Sequence, residues 1–163
     1  MLTFLSITKM DIKEKKELAV AALENGTVID HIPSQSLFKV VNLLGIKDLE
    51  NSVTIGFNLD SKLLGKKGLI KIADVFFPES TLNRIALIAP HAVINIIRNF
   101  EVVDKHTVSL PNELTDIVKC KNPKCISNNE PMKSRFHVID RDHIVLKCQY
   151  CNCIETHDEI VLK

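Results

Sequence analysis

Asp30 and His31 stand side by side in "GTVIDHIP" (residues 26–33), a carboxylate next to an imidazole. General acid–base catalysis often uses that pair. Further along, "CKNPKC" puts four residues between Cys120 and Cys125, and "CQYC" puts two between Cys148 and Cys151. These are spacings at which thiolates surround a metal ion. The first constellation offers proton transfer or ligand contact, the second ion binding. Which of these is realised depends on the elements that hold them.

"KELAVAALENGTVIDHIP" reads as two strands turning at Asn25-Gly26, since both residues tolerate positive φ. Strict alternation in the second strand puts Val28, Asp30 and Ile32 on one face, and Thr27, Ile29 and His31 on the other. Asp30 and His31 are then expected to point apart, which is poor geometry for a catalytic dyad. Leu37, Phe38, Val40, Val41 and Leu44 fall at helical spacing, with Gly45 placed to end the helix. "SVTIGFNLD" alternates, with Val53, Ile55, Phe57 and Leu59 on one side, and "KKGLIKIADVF" reads as the next strand. A second helix is predicted from Glu79 to Ala89 between Pro78 and Pro90. "HAVINII" and "FEVVDK" then form a hairpin turning at Arg98-Asn99.

This order, roughly β-β-α-β-β-α-β-β, predicts an α+β sandwich of the ferredoxin-like kind, with two helices on one face of a mostly antiparallel sheet. Lys71 lies on the side opposite Ile70 and Ile72. With Lys67, Lys105 and His31 it can converge on an anion, while Asp30 accepts from a hydroxyl or amino group. The competing reading makes each lysine a solvated residue guarding a strand edge. "GKKG" (65–68) is too short for a glycine-rich phosphate loop and lacks the strand–loop–helix setting.

All five cysteines follow position 119, so a Cys-free body (17–110) is expected to precede a Cys-dependent tail (111–163). Between the two cysteine pairs lie 22 residues containing strand-like "RFHVI" and "HIVLK". Two knuckles joined by a hairpin form a four-cysteine zinc site within a small antiparallel β domain. Disulfides and other metals are the competing readings. Four thiolates close the coordination sphere, so the ion holds the fold instead of activating water. Cys153 is left as a spare thiol and His157 as a surface histidine.

Lys plus Arg (21) nearly cancel Asp plus Glu (20), and the chain has no Trp and one Tyr. A zinc-ribbon module gripping nucleic acid, the main alternative, would need a basic face and exposed aromatics for stacking. No stretch approaches the roughly 20 apolar residues of a membrane span. The apolar opening "MLTFLSIT" is short and followed by charged "KMDIKEKKE", unlike a signal peptide. Residues 1–16 are expected to be a flexible extension, or Met10 the true start. A cytoplasmic location follows from these readings.

"NGTVIDHIP", "IGFNL", "GKKGLIKI", "FEVV", "SLP" and the Cys-x4-Cys…Cys-x2-Cys tail with "CIS" and "EP" occur in one order. From about Leu18 to the C-terminus the chain resembles the regulatory chains of aspartate carbamoyltransferase. The resemblance implies a non-catalytic subunit. Its allosteric domain would bind nucleoside triphosphates (CTP and ATP, with UTP assisting), and its zinc domain would dock onto catalytic chains. It further implies homodimers of regulatory chains, three of which bridge two catalytic trimers in a dodecamer, biasing a tense–relaxed equilibrium in de novo pyrimidine synthesis.

Carried over position by position, the resemblance gives Asp30 and His31 as effector contacts, with Lys67, Lys71 and Lys105 as cationic partners. Lys105 and His31 would lie toward the triphosphate and Lys71 toward ribose and base. Val20, Ala22, Leu23, Val28, Ile97, Phe100 and Val102 would wall the base, and Asn95 also matches. Three positions depart: Ala21 where a family member is acidic, Phe100 where it has Tyr, and Val93 where it has Thr. Losing such polar groups can shift effector choice, because selectivity rests on single polar contacts.

Overall fold

The computed structural model of the protein describes residues 22–163. The extension 1–16, the strand expected before Ala22, and the positions of Val20 and Ala21 lie outside the described residues. The chain then runs through β1 (Gly26–Pro33), a 3-10 turn (Ser34–Ser36), α1 (Leu37–Leu43), β2 (Val53–Ser61), β3 (Gly65–Ala73), α2 (Glu79–Ile85), β4 (Val93–Arg98) and β5 (Glu101–Thr107). The strands form one sheet in the order β2-β3-β1-β4-β5, with every neighbouring pair antiparallel. The β1-α1-β2-β3-α2-β4 portion is the ferredoxin-like split βαβ arrangement, and β5 extends its edge.

The apolar stripe of each helix explains why both lie on the same face. Leu37, Val40 and Val41 of α1 and Leu82 and Ile85 of α2 join Ile29, Ile32, Ile70, Ile72 and Ile94 of the sheet in one buried core. Truncating one of these isoleucines to alanine would cost about 2–5 kcal/mol. Gly45 takes φ +60° and ends α1, as its position suggests. Helix α2 stops at Ile85, short of the expected Ala89. Its continuation tightens into turns, with Ile88 N donating to Ile85 O, yet Ala86 and Ala89 remain buried.

Three expectations fail for local reasons. The turn at Asn25-Gly26 does not form: Ala22–Asn25 is not strand, and Gly26 simply opens β1. Gly26 is needed there because a Cβ would fall 2.0 Å from Ile72 O, and because its φ is +138°. The β4–β5 hairpin turns at Asn99-Phe100, not Arg98-Asn99, both central residues being left-handed (φ 50° and 65°). In β2 a bulge between Gly56 and Leu59 carries Leu59 to the face opposite Val53 and Ile55, where it packs over Gly56.

The tail contains β6 (Glu113–Thr115), β7 (Val118–Lys119), α3 (Ile126–Asn129), β8 (Arg135–Asp140), β9 (Val145–Cys148), β10 (Ile154–Glu155) and β11 (Val161–Leu162). Its main sheet is β10-β9-β8-β6, and β11 pairs with β7. Strands β8 and β9 are the expected hairpin between the two cysteine pairs. No described helix is long and apolar enough to cross a membrane.

Candidate functional site: an open sheet face and a metal centre

The helices cover one face of the five-stranded sheet, and the polar candidates fall on the other. Register makes this concrete. Thr54 opposes Lys71, Lys71 opposes Val28, Val28 opposes Asn95, and Asn95 opposes Lys105. Directly opposed residues share a face, so this row crosses all five strands. One step along, Gly26 opposes Ile97 and Ile97 opposes Val102; in the other direction Asp30 opposes Val93. Val28, Ile97 and Val102 thus flank the polar row. Burial lowers the Lys71 pKa, while the Asp30 carboxylate pulls it back up.

The expected separation of Asp30 and His31 is wrong. Between Ile29 and Ile32 the register of β1 against β3 slips, and His31 adopts φ +59°. This bulge breaks the period of two, so Ile29 and Ile32 both enter the core and His31 turns beside Asp30. Asp30 Oδ1 accepts from His31 N at 2.6 Å, and Lys67 Nζ lies 2.7 Å from Oδ1 and 2.9 Å from Oδ2. His31 Nδ1 is buried without a hydrogen bond, its nearest acid oxygen being Asp30 Oδ2 at 3.5 Å. The carboxylate is therefore occupied in holding Lys67 and the bulge, leaving no geometry for a proton relay.

Phe100 stands at the β4–β5 turn, 64 % exposed. Its N–H donates to Glu24 O, which ties the segment carrying Ala22 and Leu23 to this end of the sheet. Thr54 was not singled out from the sequence. Only the register of an edge strand puts it in the row.

The four candidate cysteines converge: Cys120, Cys125, Cys148 and Cys151 bring their sulfurs within 4.8 Å of one another. Cys120 and Cys151 are 3.5 Å apart, Cys125 and Cys148 3.7 Å. Tetrahedral zinc–sulfur bonds of about 2.3 Å would space sulfurs by about 3.8 Å, so the set fits such an ion. Cys153 stands outside this group, as the commoner knuckle spacing suggests. Burial pushes the Cys120 and Cys148 thiols up, so a full thiolate set needs a cation among them. Burial opposes ionisation of Cys151 too, yet a donated N–H from Cys153, with Asn122 and the neighbouring thiols, brings it to about 7.

Support around the centre went unread in the sequence. Asn128 Nδ2 donates to Cys120 O and Asn122 O, both at 2.8 Å, locking the first knuckle. Glu155 is fully buried, and its Oε1 accepts from Lys121 N at 2.7 Å. A glutamate in a polar tail gives no sequence signal of burial.

Fold and centre together define a class: a ferredoxin-like sheet protein with a polar row on its open face and an appended four-cysteine metal knuckle. Residues 18–109 match the family described as the aspartate carbamoyltransferase regulatory chain, allosteric domain, and residues 112–161 its metal-binding domain. The chain belongs to the family of aspartate carbamoyltransferase regulatory chains, non-catalytic subunits that partner that enzyme's catalytic chain. The regulatory chain of Bacteroides fragilis is 59 % identical over 150 residues, covering 92 % of this chain and 98 % of that one. That of Parabacteroides distasonis is 58 % identical over 154 residues (94 % and 100 %). The Methanothermobacter thermautotrophicus chain is 43 % identical over 152 residues (93 % and 97 %).

Proposed function

We propose that residues 17–110 bind CTP and ATP, with UTP assisting, on the open sheet face, and that residues 111–163 hold zinc and dock onto the catalytic chain. The observation that carries this reading is the register row of Lys71, Val28, Asn95 and Lys105, flanked by Asp30 and Lys67. A triphosphate suits Lys105, Lys67 and His31, because charge-assisted bonds are the strong ones. Lys71 addresses ribose and base, and Val28, Ile97 and Val102 supply an apolar floor. Val93 faces Asp30 where a hydroxyl would stand in the family, so effector choice here rests on fewer polar contacts.

The zinc holds the tail folded; four thiolates leave no position for catalytic water. Transmission from sheet to tail has a physical route, since one continuous core joins the two and Arg84 of α2 donates to Lys163 O at 3.1 Å. Exposed Phe38, Ile55, Phe57 and Leu63 near edge strand β2 support homodimerisation, with three dimers bridging two catalytic trimers in the cytoplasm. The role is allosteric control of de novo pyrimidine synthesis.

The test is reconstitution with the catalytic chain. Aspartate saturation is measured with and without CTP and ATP. At least one nucleotide should shift the half-saturating concentration, and only in the presence of this chain. A complex indifferent to both would overturn the effector role.

A further inference from the structure

We infer that the groove between the helix layer and the C-terminal segment is a second ligand site, taking an amphipathic small molecule that bears an anionic group. The groove has a volume of about 490 Å³, within the range of small-molecule pockets. It is bounded by α1 and α2 on one side and by residues 157–163 on the other, on the face of the sheet opposite the polar row. Leu43, Leu87, Ile160 and Leu162 give it apolar walls, which suit an apolar ligand body.

Charge fixes the other half of the ligand. Lys39 and Arg84 line the groove, and Lys39 makes no ion pair among the described residues. Lys163 is already spent on Asp116 at 2.6 Å, and Asp158 is the one acidic side chain among the described lining residues. Arg84 gives one N–H to Lys163 O, and its Nε is buried without a hydrogen-bond partner among the described residues. The Lys39 ammonium and the other guanidinium N–H groups of Arg84 are charge-assisted donors for a carboxylate, sulfonate or phosphate in the groove. A ligand there would touch both the sheet domain and the tail, so it could alter their coupling independently of the sheet-face effector.

The test is a fluorescence titration of the full, metal-loaded chain with anilinonaphthalene sulfonate, an amphipathic monoanion of fitting size. One saturable site is expected, with decanoate competing. Affinity should fall about tenfold or more in Arg84→Met, which keeps the aliphatic stem, and in Leu43→Trp, which fills the groove. It should be unchanged in Lys105→Ala, and CTP, acting through the shared core, should shift it without abolishing binding at saturation. Circular dichroism and the thermal midpoint establish that each variant is folded; if Leu43→Trp is not, Arg84→Met decides. Unchanged affinity in folded Arg84→Met would place the dye on the exposed Phe38–Phe57 surface and overturn the site. Complete displacement by CTP, or absence of binding, would overturn it equally.

Discussion

Lys67 Nζ lies 2.7 Å from Asp30 Oδ1, pinning β3 to the bulge of β1, with both side chains about four-fifths buried (19 % and 20 % exposed). The same carboxylate oxygen accepts the backbone N–H of His31, whose φ of +59° is unfavourable for a side chain bearing a Cβ. One acid thus stabilises a strained residue and orients a lysine on the open face.

Asp30→Ala removes both contacts and leaves the largely buried Lys67 without this partner. Stability should fall by about 1–3 kcal/mol, read as a lower urea midpoint with unchanged slope. Lys67→Met in the same background should recover part of the loss, since the orphaned ammonium is gone. An Asp30→Ala variant as stable as the parent would mean that the bulge does not depend on this carboxylate.

Removing the metal should separate the two halves of the chain. With a strong chelator, or in Cys125→Ser, the tail is expected to unfold, because its small apolar core cannot offset chain entropy alone. The sheet should persist and still bind nucleotide, while docking to the catalytic chain is lost. Metal analysis should give one zinc per chain, and tail-specific amide signals should collapse on chelation. Assembly with the catalytic chain after complete chelation would contradict this.

Acid should release the metal through the thiolates and not through the nearby capping box, in which Thr156 and Glu159 bond to each other across the 3-10 turn His157–Glu159. A hydrogen bond from Lys121 holds the Glu159 carboxyl down at about 2, helped by the Thr156 N–H. A depressed carboxylate contributes stability above its ordinary value near 4.5 and loses it only as pH falls toward about 2. Between pH 7 and 5 that contribution is constant. Glu159→Gln should therefore leave the pH midpoint of metal release unmoved, as followed by a zinc-sensitive dye. A shifted midpoint would show that the box titrates with the centre.

The four clustered cysteines were legible in the sequence, because Cys-x4-Cys and Cys-x2-Cys encode local knuckles whose geometry follows from spacing; the support from Asn128 and Glu155 was not. The ferredoxin-like sheet was legible from apolar periodicity, and so was the placing of Lys71 opposite Ile70 and Ile72. The bulges were not. Ile29 and Ile32 read as opposite faces until a register slip puts both in the core, and Leu59 changes face for the same reason. A bulge inserts one residue with no compositional mark beyond a tolerance for positive φ, which His31 and Asn58 show only weakly. Thr54 escaped notice because membership of the polar row depends on pairing between distant strands.

The central claim is that the open sheet face is an effector site. Calorimetric titration of CTP and ATP into the zinc-loaded chain tests it most directly, with Lys105→Ala as the control. Saturable binding of at least one nucleotide is expected, weakened by about 1.5–3 kcal/mol in the variant, the scale of a charge-assisted contact. Absence of binding by a folded, zinc-loaded chain, or binding that Lys105→Ala leaves untouched, would contradict it.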